Sequence, residues 1–220
     1  MKYSTALLAL IGLAAAAPSS DLARRQITSD ELIKGGCKKV VFVWARASTE
    51  PGNMGMSMGP IVCSGLKKKF GSNSVACQGV GGPYSAGLMD NVRSDGTTEE
   101  AVNEAVSMFT KAIQCEGALV VGGGYSQGTA VTGNAVMKLD SAAKEKVLGI
   151  VLYGYTKNGQ TKGSIPGYPS DRLKVFCRDD DGVCDGQLMV TIGHFGYLMD
   201  DSGDEGIAFL TQKIQAASSG

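Results

Sequence analysis

Short apolar runs alternate along the chain with segments whose apolar residues recur every three or four positions. Lys39 to Ala45 (K-V-V-F-V-W-A) is almost wholly apolar. Ser74 to Val80, Ala118 to Val121, Val147 to Gly154 and Arg172 to Cys177 are four more runs of strand length. Such runs, with little polar alternation, suit parallel strands covered on both faces. Helical periods lie between them at Ile61 to Phe70, Thr97 to about Gln114, Gln127 to Leu139 and Gly203 to Ala217. The second opens on Thr97-Thr98-Glu99-Glu100, which places acids in a first turn, and Asp140-Ser141-Ala142-Ala143 reads as a helix stop and restart. Gly81 to Asn91 has neither period and is expected to be an irregular loop. Strands alternating with helices predict an α/β fold of three layers: a central five-stranded, mostly parallel sheet with helices on both faces.

Length agrees with one such domain, since 220 residues, 43% of them hydrophobic, fill one sizeable core and not two. The front end is set apart. Lys2, the apolar stretch Ala6 to Leu13 and Ala14-Ala15-Ala16 read as a secretory signal over residues 1–17, too short in its apolar part to span a membrane. Residues 18–25 read as a pro-segment ending in Arg24-Arg25, which leaves 26–220 as the working domain. Without residues 1–25 the charge falls from zero to −2, as Lys2, Arg24, Arg25 and Asp21 are lost. With no basic stripe beyond Lys67-Lys68-Lys69, nucleic acid is not an expected partner. Six cysteines in a chain with a secretory leader suggest three disulfides. They are scattered, and with a single histidine they form no ligand cluster, so no metal or other cofactor is expected.

The chemistry centres on Gly124-Tyr125-Ser126-Gln127-Gly128, a G-x-S-x-G pentapeptide between the third apolar run and a helical period. Strand, sharp turn and helix is the context in which a serine is raised above a sheet edge as a nucleophile. Glycines on either side let strand and helix approach, and the helix start turns free N–H groups toward an oxyanion. A serine needs a base, and the only histidine is His194, in Thr191-Ile192-Gly193-His194-Phe195-Gly196. Between them, Cys177 to Asp185 offers Asp179, Asp180, Asp181 and Asp185 as the orienting acid. Spacing does not choose among these four. The order Ser, Asp, His is that of α/β-hydrolases.

Four stretches together resemble the fungal cutinases: Gly124–Gly128, the loop Ala45-Arg46-Ala47-Ser48-Thr49-Glu50, Gly154-Tyr155-Thr156-Lys157-Asn158, and C-x3-D-x2-C at Cys177–Cys184. The resemblance runs from about Cys37 to the last helical period. It implies a small, lidless, secreted α/β-hydrolase that cleaves esters of cutin and short acyl chains. It implies Ser126 as nucleophile, His194 as base and Asp181 as acid. It further implies an oxyanion hole from the N–H groups of Ser48 and Gln127, with Asn91 holding the Ser48 hydroxyl. The implied disulfides are Cys37–Cys115, Cys63–Cys77 and Cys177–Cys184. By the same analogy Leu88 and Met89 face Leu188, Met189, Val190 and Ile192 across an acyl groove.

Two positions depart from the family pattern. Ala47 stands at a usual glycine and would carry strain if its φ were positive. Gly193 stands at a frequent proline, which predicts a looser His194 loop. An acetylxylan esterase shares this triad, and a secreted interaction protein or elicitor is a further reading. An aromatic content of 6% offers few sugar platforms, and the apolar loops favour an aliphatic acyl chain. A monomer is expected.

Overall fold

In the computed structural model, which describes residues 27–219, the five apolar runs form a single sheet. The expected signal (1–17) and pro-segment (18–25) lie outside the described residues. The strands are β1 (Val40–Ala45), β2 (Val75–Gly79), β3 (Leu119–Tyr125), β4 (Val147–Tyr153) and β5 (Leu173–Phe176). Their order is β2-β1-β3-β4-β5 and every neighbouring pair is parallel.

The helices are α1 (Glu31–Gly35), α2 (Met58–Phe70), α3 (Glu99–Gln114), α4 (Gln127–Lys138), α5 (Ser141–Lys146), α6 (Asn158–Thr161) and α7 (Ser202–Ser218). The Thr98 hydroxyl caps α3 by accepting the Ala101 N–H, and the Asp140 carboxylate caps α5 by accepting that of Ala143. Two elements run further than their patterns indicate. Helix α2 starts at Met58 rather than Ile61, because Met58, Val62 and Leu66 bury one stripe and Pro60 falls in the first turn, where its missing N–H costs nothing. Strand β3 continues through Gly122-Gly123-Gly124 to Tyr125. Phe109 and Trp44 lie where side chains at Gly122 and Gly123 would stand, so neighbouring residues supply the apolar cover that the glycines lack.

Period-two alternation sorts each strand between two cores. Val41, Val43 and Ala45 of β1 face a cluster holding Ala105 and Phe109 of α3 with Val131 and Ala135 of α4. Val40, Phe42 and Trp44 face Val62 and Leu66 of α2 with Leu210 and Ile214 of α7. The helix after β1 therefore lies on one face and the helix after β3 on the other. Those strands are neighbours, so the chain parts in opposite directions at their carboxyl ends and leaves a crevice there. Three disulfides tie the layers: Cys37–Cys115 joins the approach to β1 to the end of α3, Cys63–Cys77 joins α2 to β2, and Cys177–Cys184 closes the loop after β5. Among the described residues no helix is long and apolar enough to cross a membrane.

Candidate active site

At the crevice β3 passes into α4 through Ser126, whose backbone sits at φ 54° and ψ −126°. For a residue with a Cβ this conformation costs on the order of 1–3 kcal/mol, so the surroundings must hold it. The Ser126 N–H donates to the Tyr153 carbonyl at the end of β4 (2.9 Å). The Ser126 carbonyl accepts the Thr129 N–H (2.8 Å) and the Thr129 hydroxyl (2.5 Å). Glycine is required on both sides. A Cβ at Gly124 would overlap the Gly128 carbonyl, and one at Gly128 would overlap that of Ala45.

The Ser126 hydroxyl lies 2.9 Å from His194 Nε2. His194 Nδ1 is 3.0 and 2.9 Å from the two carboxylate oxygens of Asp181. Both the imidazole and the carboxylate are buried, at 3% and 1% exposure, while Ser126 is half-buried and reachable. The imidazole stacks on the Tyr125 ring (centroids 5.2 Å apart), and the Tyr125 hydroxyl donates to the His194 carbonyl (2.6 Å). The Asp181 carboxylate accepts the Val183 N–H (3.0 Å) and the Tyr197 hydroxyl (2.7 Å) as well. Burial alone would raise the Asp181 pKa. Hydrogen bonds from His194, Tyr197 and the Val183 N–H outweigh it and hold the carboxyl below its ordinary range. Of the four aspartates, Asp179, Asp180 and Asp185 are exposed and only Asp181 meets the histidine.

The His194 loop is strapped to the acid loop. Arg178 pairs with Asp180 (2.9 Å) and Asp200 (2.5 Å), and the Thr191 hydroxyl donates to the Asp180 carbonyl. Asn158 of α6 donates to the Cys184 carbonyl from the other side (3.2 Å). Gly193 belongs to this strap, since a Cβ there would overlap the Asp180 carbonyl. Its small size has a packing cause that the sequence does not display.

Ser48 projects from the loop after β1, and its hydroxyl accepts from the Asn91 side chain (2.8 Å), which donates to the Leu88 carbonyl too (2.8 Å). Gln127 is the first residue of α4, so its N–H has no acceptor within the helix. Its side chain donates to the Gly87 carbonyl (2.7 Å). Glu50 braces the Ser48 loop by accepting the N–H groups of Ala47 (2.9 Å) and Met56 (3.0 Å). Arg46 ties the same loop to the Glu50, Tyr84 and Ser85 carbonyls. The strain anticipated at Ala47 does not arise: the positive φ in this loop falls at Thr49 (64°).

Leu88, Met89, Leu188, Met189, Val190 and Ile192 are all exposed, so none is consumed by the core. Leu88 and Met89 open a 3-10 turn (Leu88–Val92) that Asn91 and Gln127 hold against the crevice. The others precede or open the 3-10 turn Ile192–Leu198 that carries His194. Val92, Phe195, Leu198 and Met199 extend this exposed apolar rim. Two concavities of about 400 and 1290 Å³ lie elsewhere, against Thr28 and Asp30, and neither includes Ser126. Tyr197, Tyr125, Glu50 and Arg178 were not picked out by sequence. The available hint for Tyr197 was its place three residues after His194, one helical turn along.

The cutinase family model matches residues 36–214. Cutinase 3 of Emericella nidulans is 49% identical over 204 residues, covering 90% of this chain and 92% of that one. Cutinase 1 of Fusarium vanettenii is 43% identical over 227 residues, covering 98% of each. Among solved structures, Trichoderma reesei cutinase in complex with a C11Y4 phosphonate inhibitor superposes with a TM-score of 0.75 at 27% identity, over 88% of this chain and 83% of that one. An acetylxylan esterase shares the fold, with a TM-score of 0.63 at 16% identity over 81% of this chain and the whole of that one. A family match spanning the whole sheet, with relatives this similar end to end, places the chain in the cutinase family of carboxylic ester hydrolases.

Proposed function

We propose that this chain is a secreted serine esterase acting on cutin and on short-chain acyl esters, with Ser126 as nucleophile, His194 as general base and Asp181 as the acid that orients it. One observation carries the reading: the unbroken chain of hydrogen bonds from the half-exposed Ser126 hydroxyl through His194 to the buried Asp181. As Ser126 Oγ attacks the ester carbonyl, His194 takes its proton, and Asp181 stabilises the imidazolium that forms. The N–H groups of Ser48 and Gln127 receive the oxyanion, and the positive end of α4 adds to their field. His194 then returns the proton to the departing alcohol. Water repeats the sequence on the acyl-enzyme and frees the acid.

The exposed rim of Leu88, Met89, Leu188, Met189, Val190 and Ile192 supports an aliphatic acyl chain lying across an open surface, an arrangement suited to an insoluble polyester. The secretory pattern at residues 1–17 and the three disulfides support an oxidising destination. We expect it to act as a monomer without a cofactor.

The test is hydrolysis of p-nitrophenyl esters from about two to sixteen carbons by wild type and Ser126→Ala, the chain length over which burial of each CH₂ should register. Activity lost in the variant, with a wild-type optimum near about four carbons, supports the proposal. The shared fold of the acetylxylan esterase favours a second reading, which activity on acetate alone, together with release of acetate from acetylated xylan, would establish. Folded wild type no faster than the variant on any ester would overturn the catalytic assignment and leave an interaction protein as the reading.

A further inference from the structure

We propose that Tyr197 is a positioning residue of this reaction, its hydroxyl fixing the Asp181 carboxylate in the orientation that holds His194. The inference rests on the triad reading above and adds a fourth group to it. The Tyr197 hydroxyl lies 2.7 Å from Asp181 Oδ2 and accepts the Arg178 N–H at 3.1 Å. A phenol has one proton. With the Arg178 N–H directed at the oxygen, that proton is left to point at the carboxylate, so the direction of the bond is set by the backbone after β5. Tyr197 is 1% exposed, with its ring edge-on to Tyr125 and to Tyr153 at 6.2 Å in each case, so the ring cannot swing away. Burial first, and then the neighbouring Asp181, push the phenol well above its ordinary pKa, so it stays a donor at any working pH.

Without this bond, Oδ2 keeps only His194, and the carboxylate can rotate about the axis that the Val183 N–H leaves free. The ionisable groups that face Asp181 are His194 and Tyr197 from the 3-10 turn and Tyr125 from β3. Asp180, Arg178 and Asp200 form their own pairs at the surface.

The experiment is Tyr197→Phe, which keeps the ring and removes the hydroxyl, measured by the pH profile of kcat and kcat/KM on p-nitrophenyl butyrate. The expected result is a fall in kcat of about 10- to 100-fold at unchanged KM, the size of one hydrogen bond to a charged group. The acid limb should move to higher pH, because ionised Asp181 has lost a donor. Tyr168→Phe is the control: its hydroxyl donates to the Val147 carbonyl (2.9 Å) in the other core, and its loss should lower stability without moving the limb. In an Asp181→Asn background, Tyr197→Phe should cost little further kcat. An equal cost in both backgrounds, or an unmoved acid limb in the folded variant, would overturn the proposal. Should the phenylalanine chain not fold, 3-fluorotyrosine placed at position 197 keeps the shape and donates more strongly. The limb should then move to lower pH, and an unmoved limb is again the refuting result. Ser126→Ala tests the triad independently, so a failure of Tyr197→Phe alone leaves that reading standing.

Discussion

Two of the disulfides should separate stability from catalysis. Cys37–Cys115 spans 78 residues of sequence and Cys177–Cys184 spans 7. In the chain-entropy model, opening the first costs about 4.5 kcal/mol and opening the second about 2.4 kcal/mol. For a domain of this size those values correspond to falls in Tm of roughly 9–18 °C and 5–10 °C. Their positions predict the reverse order for turnover. The long bridge joins the approach to β1 to the end of α3, at the amino ends of the strands and so remote from Ser126, which follows the carboxyl end of β3. The short one encloses Asp181, whose carbonyl accepts the Cys184 N–H (3.1 Å) and whose carboxylate accepts that of Val183 (3.0 Å). A displacement of about 1 Å in a positioned group costs on the order of 100-fold in rate. The paired variants Cys37→Ala/Cys115→Ala and Cys177→Ala/Cys184→Ala are therefore compared by urea unfolding and by kcat on p-nitrophenyl butyrate, below the melting range of both. The long-bridge variant should be the less stable and retain most of its kcat. The short-bridge variant should be the more stable and lose most of it. A short-bridge variant with wild-type kcat would refute the idea that this ring positions the acid.

Three further outcomes follow from single contacts. Asn91→Ala removes the 2.8 Å donor that holds the Ser48 hydroxyl; kcat should fall by about 10-fold, less than for loss of an oxyanion donor itself, with a Tm within a degree or so of wild type. Gly128→Ala drives a Cβ into the Ala45 carbonyl, and urea unfolding should register a loss of about 1–3 kcal/mol together with impaired turnover. Asp181 is held below its ordinary value, so its contribution to stability is complete above the unfolded carboxyl's pKa of about 3.9 and is lost as pH falls through the folded value. Wild type should therefore lose stability as the medium is acidified below about pH 4, and Asp181→Asn should lack that part of the slope.

The sheet was legible because buried parallel strands write themselves as apolar runs, and five of them fall at the right spacing. Ends were less legible wherever packing replaced sequence pattern. The glycines of β3 read as the end of a strand because their apolar cover belongs to Phe109 and Trp44, residues on other elements. The chain order of Ser126, the acid loop and His194 was visible. The choice of Asp181 over its neighbours rested on resemblance, since four aspartates within nine positions look alike until one of them turns inward. Tyr197 and Glu50 were invisible for the same reason: each acts through a contact made across loops. Ala47 shows the opposite error, in which a departure from the family pattern suggested strain at a residue whose backbone bears none.

The layout of the strand ends explains why the histidine comes from a distant loop. Ser48 follows β1, Ser126 follows β3 and Asp181 follows β5, with β4 lying between the last two. Strands about 4.8 Å apart set the ends of β3 and β5 nearly 10 Å from each other, so Ser126 and Asp181 are too far apart for direct contact and are joined by an imidazole hydrogen-bonded at both nitrogens. The ring must then cross the end of β4, which can supply only a floor. Its first residue beyond the strand is Gly154, at φ 60°, where a Cβ would stand 2.6 Å from His194 Cε1. The same strand end gives its Tyr153 carbonyl to the Ser126 N–H and its Gly154 N–H to the Phe176 carbonyl of β5. So β4 contributes no group to the proposed triad, yet it fixes the spacing that His194 bridges, and a side chain at Gly154 would press first on His194 and next on Asp181 Oδ2, 3.1 Å away.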